Sequence, residues 1–244
     1  MQVDCALADR LIVVLVATRN PLNIGAAARA MSNFGLQRLR VVNPYEIAFE
    51  EARSAVGASA LLKSAERFRN VADAIADCSL VVGTTAARNR KLDQEVKSLQ
   101  EGVRILRRHV RSGRSALLFG SEKRGLSNDD FSYCNWLMRV PTNQQHPSMN
   151  LGQAVAVCLY ELAKPCKPAA ASQQHEPANS AALVRLTQIL SNALECAGYS
   201  PDDAGAVSEQ KIRKLVRRLN LSEKDAQVLS GMYRQMLWKM KSRP

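Results

Sequence analysis

Short runs of apolar residues recur along the first part of the chain, and most of them are apolar at every position. They lie at residues 11–18, 39–44, 79–85, 115–122 and 136–142. A strand with one solvent-exposed face alternates apolar and polar residues, whereas a strand buried on both faces of a parallel sheet is apolar throughout. The pattern therefore predicts five buried strands of a parallel sheet.

Segments with helical periodicity separate these runs. They predict helices at residues 21–33, 50–68, 70–77, 93–110, 126–133 and 148–163. Strands that alternate with helices over short connections are typical of an α/β domain with helices on both faces of the sheet. The sequence therefore predicts an α/β domain over residues 1–164.

The composition changes after this domain. Residues 165–180, PCKPAAASQQHEPANS, lose the apolar periodicity and predict an exposed linker. Residues 181–244 are helical in pattern again, and we interpret them as a small C-terminal module, with helices at 181–198 and 207–243. This module is basic, because residues 207–244 hold ten Lys or Arg and three Asp or Glu.

The sequence KIRKLVRR in this module predicts how its second helix is oriented. Ile212, Leu215, Val216 and Leu219 form an apolar stripe that we expect to face the module's interior. Much of the charge would then face solvent. We expect four of these basic residues to contact phosphates: Arg213, Lys214, Arg217 and Arg218.

Charge narrows the classes of partner. The 244 residues carry a formal net charge of +12 with a pI near 9.8. An excess of this size favours polyanions, nucleic acid first, although a basic surface can also serve solubility alone. The six cysteines contain no CxxC pair, which argues against a zinc site of the usual spacing and against a disulfide framework.

The sequence carries no sign of export or of membrane insertion. Its N-terminal region lacks a signal peptide's basic start and cleavage site, and no apolar stretch approaches the length of a membrane span. We expect a cytoplasmic protein without a membrane partner.

Glycine spacing excludes the most familiar nucleotide-binding motifs. No two of the 12 glycines are spaced as GxG, and no P-loop is present. The HExxH and GxSxG motifs are missing as well. Catalysis in this α/β domain would have to use other residues.

Three polar clusters follow predicted strands. They are TRNPLNIGAAARA at 18–30, LLFGSEKRGLS at 117–127 and VPTNQQHPSMNLG at 140–152. Open α/β sheets bind their ligands at the carboxyl ends of the strands, so these clusters are candidates for one site. Thr18 or Asn20 can cap the first helix, and Pro21 suits its first position.

These clusters resemble the three motifs of the SPOUT methyltransferases, in the branch that methylates ribose 2′-hydroxyls of tRNA and rRNA. The matching residues are Asn23, Gly25 and Arg29, then Phe119-Gly120-Ser121-Glu122 with Gly125-Leu126, then Pro147-Ser148-Met149-Asn150-Leu151. Each motif alone is weak, but three in order at strand ends are specific. The resemblance covers residues 10–164, and more loosely the helical extension.

The resemblance implies a fold, an assembly and a cofactor. The fold is a SPOUT-type parallel sheet with a C-terminal trefoil knot, followed here by a small helical extension. The enzymes are homodimers in which the second subunit completes each site, and the knot binds S-adenosylmethionine. Carried over to this sequence, the cofactor-binding residues are Thr84, Thr85, Ala86, Gly120, Val140, Pro147, Ser148 and Met149.

The implied reaction transfers a methyl group to a ribose 2′-hydroxyl, without a metal. The resemblance assigns activation to Arg29, and we expect Asn23, Glu122, Ser148 and Asn150 to orient Arg29 and the ribose. A guanidinium is effectively always protonated and is a poor base. Arg29 therefore suits binding of a neighbouring phosphate and stabilisation of the developing alkoxide.

The substrate that fits best is tRNA. The nearest resemblance is to bacterial tRNA (cytidine/uridine-2′-O-)-methyltransferases, which modify the anticodon loop at position 32 of the tRNA. An rRNA methyltransferase of the same superfamily is an alternative, although these often carry an N-terminal extension and here about ten residues precede the first strand. A non-catalytic RNA-binding relative is a further alternative, disfavoured because Arg29, Glu122 and Asn150 are present.

Overall fold

Parallel strands form one twisted layer at the centre of the protein. The computed structural model describes residues 5–54, 60–86, 94–143, 145–164, 176–199 and 205–242, and within them the sheet has seven strands. These are β1 (Leu11–Val16), β2 (Arg38–Val42), β3 (Glu66–Phe68), β4 (Leu80–Thr84), β5 (Val96–Ser98), β6 (Ser115–Phe119) and β7 (Trp136–Arg139). Their order across the sheet is β3-β2-β1-β6-β4-β7-β5.

Helices cover both faces of this sheet and form the C-terminal part of the chain. They are α1 (Cys5–Arg10), α2 (Pro21–Asn33), α3 (Glu46–Ser54), α4 (Ala60–Lys63), α5 (Val71–Ala74), α6 (Leu99–His109), α7 (Asn128–Ser132), α8 (Leu151–Ala163), α9 (Ser180–Cys196), α10 (Gly205–Arg218) and α11 (Glu223–Lys241). The predicted α/β fold with a parallel sheet is confirmed.

The central strands alternate their side chains between two apolar cores. Val13 and Leu15 of β1 pack in the core that includes α2 and α8. Ile12 and Val14 of the same strand pack in the opposite core, with α5 and α7. Because both faces are covered, the strand is apolar at every position, which is why continuous apolar runs identified these strands.

The errors of the sequence prediction lie at the sheet edges and in the C-terminal part. The predicted helix at 50–68 is wrong, since the structure has α3, α4 and strand β3 there, with residues 55–59 outside the described part. The edge strands β3 and β5 were missed because each has only three residues, of which two are polar and none is buried. The helical segment predicted at 207–243 consists of two helices. The break between them includes Asn220, whose φ is 47°, and Ser222 caps the second helix.

The C-terminal helices have an apolar cluster of their own and dock on the sheet domain. The cluster includes Leu183, Leu186 and Val216. The backbone N–H and the hydroxyl of Ser180 both donate to the carbonyl of Cys78, at 2.8 and 2.7 Å. The end of the predicted linker is therefore not exposed, since Ala178 and Ser180 are buried. Residues 165–175 of that linker lie outside the described residues, and the division into domains stays a prediction.

Three cysteines are part of the sheet domain's interior. Cys78, Cys134 and Cys158 are buried. Burial raises the pKa of the Cys134 and Cys158 thiols to about 12, so both are protonated at neutral pH. Within the described part of the chain, no helix combines the length and apolar character that crossing a membrane requires.

His109, at the end of α6, is held in its neutral form. Its Nδ1 lies 3.0 Å from the hydroxyl of Ser115 and its Nε2 lies 3.3 Å from that of Ser79. Burial lowers the pKa of His109 to about 4. A neutral imidazole has one donor and one acceptor nitrogen, and serine hydroxyls can satisfy both.

We predict that His109 makes the fold acid-sensitive between pH 6.5 and about 4. In that window the unfolded chain takes up a proton that the folded protein resists, so the free energy of unfolding falls as the pH falls. His109→Asn should remove this part of the pH dependence, measured by urea unfolding at several pH values. The exposed His146→Asn is the control, and an equal effect of both variants would contradict the prediction.

Candidate active site

The first polar cluster follows β1 and opens α2. The side chain of Asn20 accepts a hydrogen bond from the N–H of Leu22 at 2.9 Å and caps the helix, and Pro21 occupies its first position. These are the capping roles that the sequence predicted. The helix start places Asn23 toward the loop that follows β6.

Glu122, in the loop that follows β6, connects this loop to the start of α2. Its carboxylate accepts hydrogen bonds from the side-chain amide of Asn23 at 3.1 Å and from the backbone N–H groups of Asn20 at 3.3 Å and Arg19 at 3.4 Å. The carboxylate thus lies at the N-terminus of α2, where the helix dipole favours negative charge.

Asn150 joins the third cluster to the other two. Its Nδ2 donates to Oδ1 of Asn23 at 2.7 Å, and its Oδ1 accepts from the backbone of Gly152 at 2.9 Å and of Gln153 at 3.3 Å, which caps α8. A carboxylate can only accept hydrogen bonds, so Asn23 must turn its NH₂ to Glu122 and its oxygen to Asn150. The three clusters therefore share one directed chain of hydrogen bonds, from Asn150 through Asn23 to Glu122.

Small residues allow this chain to form. Ala27 and Ala28 of α2 are fully buried, and α2 packs along α8. A Cβ added at Gly152 would lie 2.6 Å from the Cβ of Ala26, closer than atoms of two side chains can approach. The glycine and alanines thus bring α2 and α8 together within one chain and keep Asn23 within reach of Asn150.

A cavity of about 730 Å³ opens beside Glu122 at the carboxyl ends of β4, β6 and β7. All eight residues that the resemblance assigned to the cofactor line it: Thr84, Thr85, Ala86, Gly120, Val140, Pro147, Ser148 and Met149. The hydroxyl of Thr84 donates to the carbonyl of Leu118 at 2.9 Å, so it also links β4 to β6. The cavity has the size and the mixed lining of a small-molecule site.

The sequence reasoning missed some residues of this cavity. Ser121, Lys123, Arg124 and Thr142 line it too. The first three belong to the quoted motif FGSEKRGL, so their position in a loop at a strand end was an available signal. The hydroxyl of Thr142 donates to the carbonyl of Pro147 at 3.0 Å, which depends on the folded loop and leaves no trace in the sequence.

The loop from Gly120 to Gly125 folds back on itself at the cavity wall. The N–H of Gly125 donates to the carbonyl of Ser121 at 2.8 Å, and its φ of 65° is in the left-handed region that favours glycine. A Cβ added at Gly120 would lie 2.0 Å from the carbonyl carbon of Gly125. Both glycines are therefore required by the geometry of the loop.

Arg29 does not join the other predicted catalytic residues within one chain. Its side chain is exposed on α2, and among the described residues it forms no hydrogen bond or ion pair. The residues that line the cavity include Glu122 and Ser148 but not Arg29. The structure thus gathers Asn23, Glu122, Asn150 and Ser148 and leaves Arg29 facing outward.

The expected orientation of α10 is wrong for two of its four basic residues. Arg213 is 8% exposed and Arg217 is 1% exposed, whereas Arg218 is exposed and Lys214 is half-buried. Leu215, expected in the interior, is 45% exposed. The arginines turn inward because α7, Ser132 and Ser180 offer them acceptors, which periodicity of apolar residues alone does not reveal.

A protein-family model described as the SpoU rRNA Methylase family matches residues 10–160. The chain belongs to this family. The tRNA (cytidine/uridine-2'-O-)-methyltransferase TrmJ of Sodalis glossinidius is 33% identical over 231 residues, which cover 90% of this chain and 88% of that relative. The tRNA (cytidine/uridine/adenosine-2'-O-)-methyltransferase TrmJ of Pseudomonas aeruginosa is 37% identical over 156 residues, 63% of this chain and 60% of that relative.

A solved structure supports the same conclusion. The crystal structure of TrmJ from Z. mobilis ZM4 has a TM-score of 0.79 and 30% sequence identity, and it covers 92% of this chain and 98% of that one. The resemblance inferred from three motifs is therefore confirmed, and the protein is a methyltransferase of the SpoU family. The trefoil knot that the resemblance also implied stays a prediction.

We predict that Gly120→Ala opens the loop of this SpoU-family methyltransferase and weakens S-adenosylmethionine binding about tenfold or more, as expected for overpacking against backbone. Isothermal titration calorimetry measures the affinity. Gly231→Ala on α11 is the matched control, because a Cβ there meets open space. Unchanged cofactor affinity in Gly120→Ala would show that the loop does not shape the binding site.

Proposed function

We propose that the protein methylates the ribose 2′-hydroxyl of a pyrimidine at position 32, in the anticodon loop of tRNA, in the cytoplasm. The observation that carries this proposal is the hydrogen-bonded chain from Asn150 to Glu122 beside a cavity at the strand ends. Relatives whose names specify tRNA ribose 2′-O-methylation match about nine tenths of the chain, which favours tRNA over rRNA.

The cavity fits S-adenosylmethionine, the methyl donor of this methyltransferase. Its volume is within the range of small-molecule sites, and main-chain groups beside Gly120 and Ala86 can bind the adenine by hydrogen bonds. Apolar side chains of Val140 and Met149 can cover its ring. When bound, the cofactor supplies an electrophilic methyl group, and the chain's own residues bind and orient the RNA.

The catalytic roles follow from the contacts within the site. The Asn150–Asn23–Glu122 chain fixes the loops that surround the reacting ribose, and Ser148 lines the cavity at the same edge. Arg29 provides a permanent positive charge that stabilises the negative charge developing on the 2′-oxygen and holds the adjacent phosphate. Such a charge acts on the transition state more than on cofactor binding.

A homodimer would bring Arg29 to the cavity of the second subunit. In a single chain Arg29 lies on the exposed face of α2, next to Ala26 and to Leu22, which is 79% exposed. Tyr160 of the neighbouring helix α8 is also exposed. The exposed Leu22 and Tyr160 on two packed helices support a subunit interface on this side of the protein.

We predict that Arg29→Ala lowers the rate of tRNA methylation about 100-fold or more, as loss of a charge-stabilising donor does, with little change in S-adenosylmethionine affinity. Arg29→Lys should also fail, because an ammonium cannot make a planar two-point contact. Single-turnover methylation and calorimetry separate the two effects. Near wild-type turnover of Arg29→Ala would contradict the assigned role.

Mixed dimers test whether the site is shared. A heterodimer of Arg29→Ala and Gly120→Ala subunits has one intact cavity and one intact arginine, on different subunits. If Arg29 acts on the partner's cavity, this heterodimer methylates tRNA faster than either homodimer at a limiting S-adenosylmethionine concentration. If it acts within its own subunit, the heterodimer is no faster than the Gly120→Ala homodimer.

The solvent face of α10 is the proposed contact to the body of the tRNA. Lys211, Lys214 and Arg218 follow one another at helical spacing on one side of α10, where Lys211 and Arg218 are exposed and Lys214 is half-buried. Phosphate contacts of this kind add affinity without reading sequence. Of the four basic residues that the sequence predicted to contact phosphates, the proposed surface keeps Lys214 and Arg218. It adds Lys211.

We predict that replacing Lys211, Lys214 and Arg218 together with Ser weakens tRNA binding and lowers the slope of log affinity against log salt by about 2 to 3, since each phosphate contact contributes about one unit. Filter binding over a range of salt concentrations measures both. Arg185→Ser, an exposed arginine on α9, is the control for charge alone. An unchanged salt slope in the triple variant would show that the tRNA does not contact this side of α10.

Nucleoside analysis decides between tRNA and rRNA. A strain without the gene should lack a 2′-O-methylated pyrimidine in its tRNA and keep its rRNA methylation pattern, as measured by mass spectrometry. Loss of a methyl group from rRNA alone would support the rRNA alternative, and no loss in either would support a non-catalytic RNA-binding protein.

A further inference from the structure

The geometry points to Arg213 as a positioning residue for the cofactor cavity: it holds α7, which forms part of the cavity wall, so that docking of the C-terminal helices strengthens S-adenosylmethionine binding. This inference rests on the proposed function. It gives the buried face of α10 a role that is separate from RNA binding.

The helix α7 borders the cavity directly. Leu126, immediately before its cap, and Phe131, within it, both line the cavity and are buried. Ser127 caps the helix, and its backbone N–H donates to the carboxylate of Asp130 at 2.7 Å. A helix of five residues is too short to be stable alone, so its position depends on the contacts that surround it.

Arg213 donates hydrogen bonds to two residues of this helix, one before and one after Phe131 in the sequence. Its Nη1 donates to the carboxylate of Asp129 at 3.0 Å and to the hydroxyl of Ser132 at 2.7 Å. Its guanidinium lies 4.0 Å from the centre of the Tyr133 ring. Burial, two acceptors and an aromatic face together fix the orientation of the side chain toward α7.

The rest of the interface fixes Arg213 in turn. Its Nη2 donates to Glu209 at 2.7 Å, one turn earlier on α10. Arg217, one turn later, donates to the hydroxyl of Ser180 at 2.9 Å, and that hydroxyl donates to the carbonyl of Cys78 in the sheet domain. The buried face of α10 is therefore linked to the sheet domain at two points, directly through Arg213 at the cavity wall and through Ser180 at Arg217.

The other side of α7 is held from within the sheet domain. The side-chain amide of Gln94 is buried and donates to the carbonyl of Phe131 at 2.6 Å. Gln94 thus holds Phe131 through its backbone, and Arg213 holds the nearby residues Asp129 and Ser132. Loss of the Arg213 contacts would leave α7 held by the Gln94 hydrogen bond and by the apolar packing of Phe131, and the cavity wall would lose part of its support.

Two variants remove the contact from opposite sides. Arg213→Gln changes the C-terminal helices, and Asp129→Asn changes α7 without altering α10. We expect each to weaken S-adenosylmethionine affinity by about threefold to tenfold, the range typical of coupling through a packed contact. Calorimetry is done at a temperature at which circular dichroism shows both variants folded, and Arg234→Gln, exposed on α11, is the control that should match the wild type.

Two further measurements separate positioning from general stability. Hydrogen exchange of Arg213→Gln should be faster in α7 and in the loop before it, with β1 and β6 unchanged. The double variant should weaken cofactor affinity no more than Arg213→Gln alone, because that variant already removes the contact to Asp129. A general loss of stability would instead raise exchange throughout the sheet and give additive effects.

The outcomes distinguish this inference from the proposed function. If the wild type fails to bind S-adenosylmethionine, the proposed function is wrong, and the inference is lost with it. If the wild type binds but Arg213→Gln and Asp129→Asn bind equally well, while exchange shows α7 released, the positioning role is overturned and the methyltransferase assignment stands.

Discussion

The close packing of α2 on α8 is the constraint on which the site depends. Gly152 leaves room for Ala26, so the two helices approach closely. Nδ2 of Asn150 then lies 2.7 Å from Oδ1 of Asn23. Glu122 then completes the hydrogen-bonded chain and ties in the loop after β6. The small residues of α2 thus act only by allowing a short distance between the helices. That distance determines which polar side chains form hydrogen bonds.

The arrangement of charge on α10 has two parts with different physical roles. Arg213 and Arg217 are buried, where each hydrogen bond depends on fixed geometry and little water screens it. Lys211 and Arg218 are exposed, where their charge acts on a polyanion and is screened by salt. A net charge counted along the sequence combines these two groups, although the first contributes to assembly of the chain and the second is the proposed contact to RNA.

Much of the fold and the position of the site follow from local signals. Continuous apolar runs locate the central strands, and Asn20 with Pro21 defines the start of α2, because these effects act over a few residues. The inward turn of Arg213 does not follow, since its partners Asp129 and Ser132 are more than 80 residues away in the chain. Edge strand β3 was missed for a related reason, because its pairing with β2 stabilises three residues that have no strand pattern of their own.

The two faces of α10 also differ in how freely they can evolve. A substitution on the buried face must preserve acceptors on α7 and at Ser180 at the same time, so single changes there are costly. Lys211 and Arg218 on the solvent face are exposed, so packing constrains substitutions there much less. Drift and selection can therefore change the charge of that surface residue by residue while the C-terminal helices stay attached in the same place.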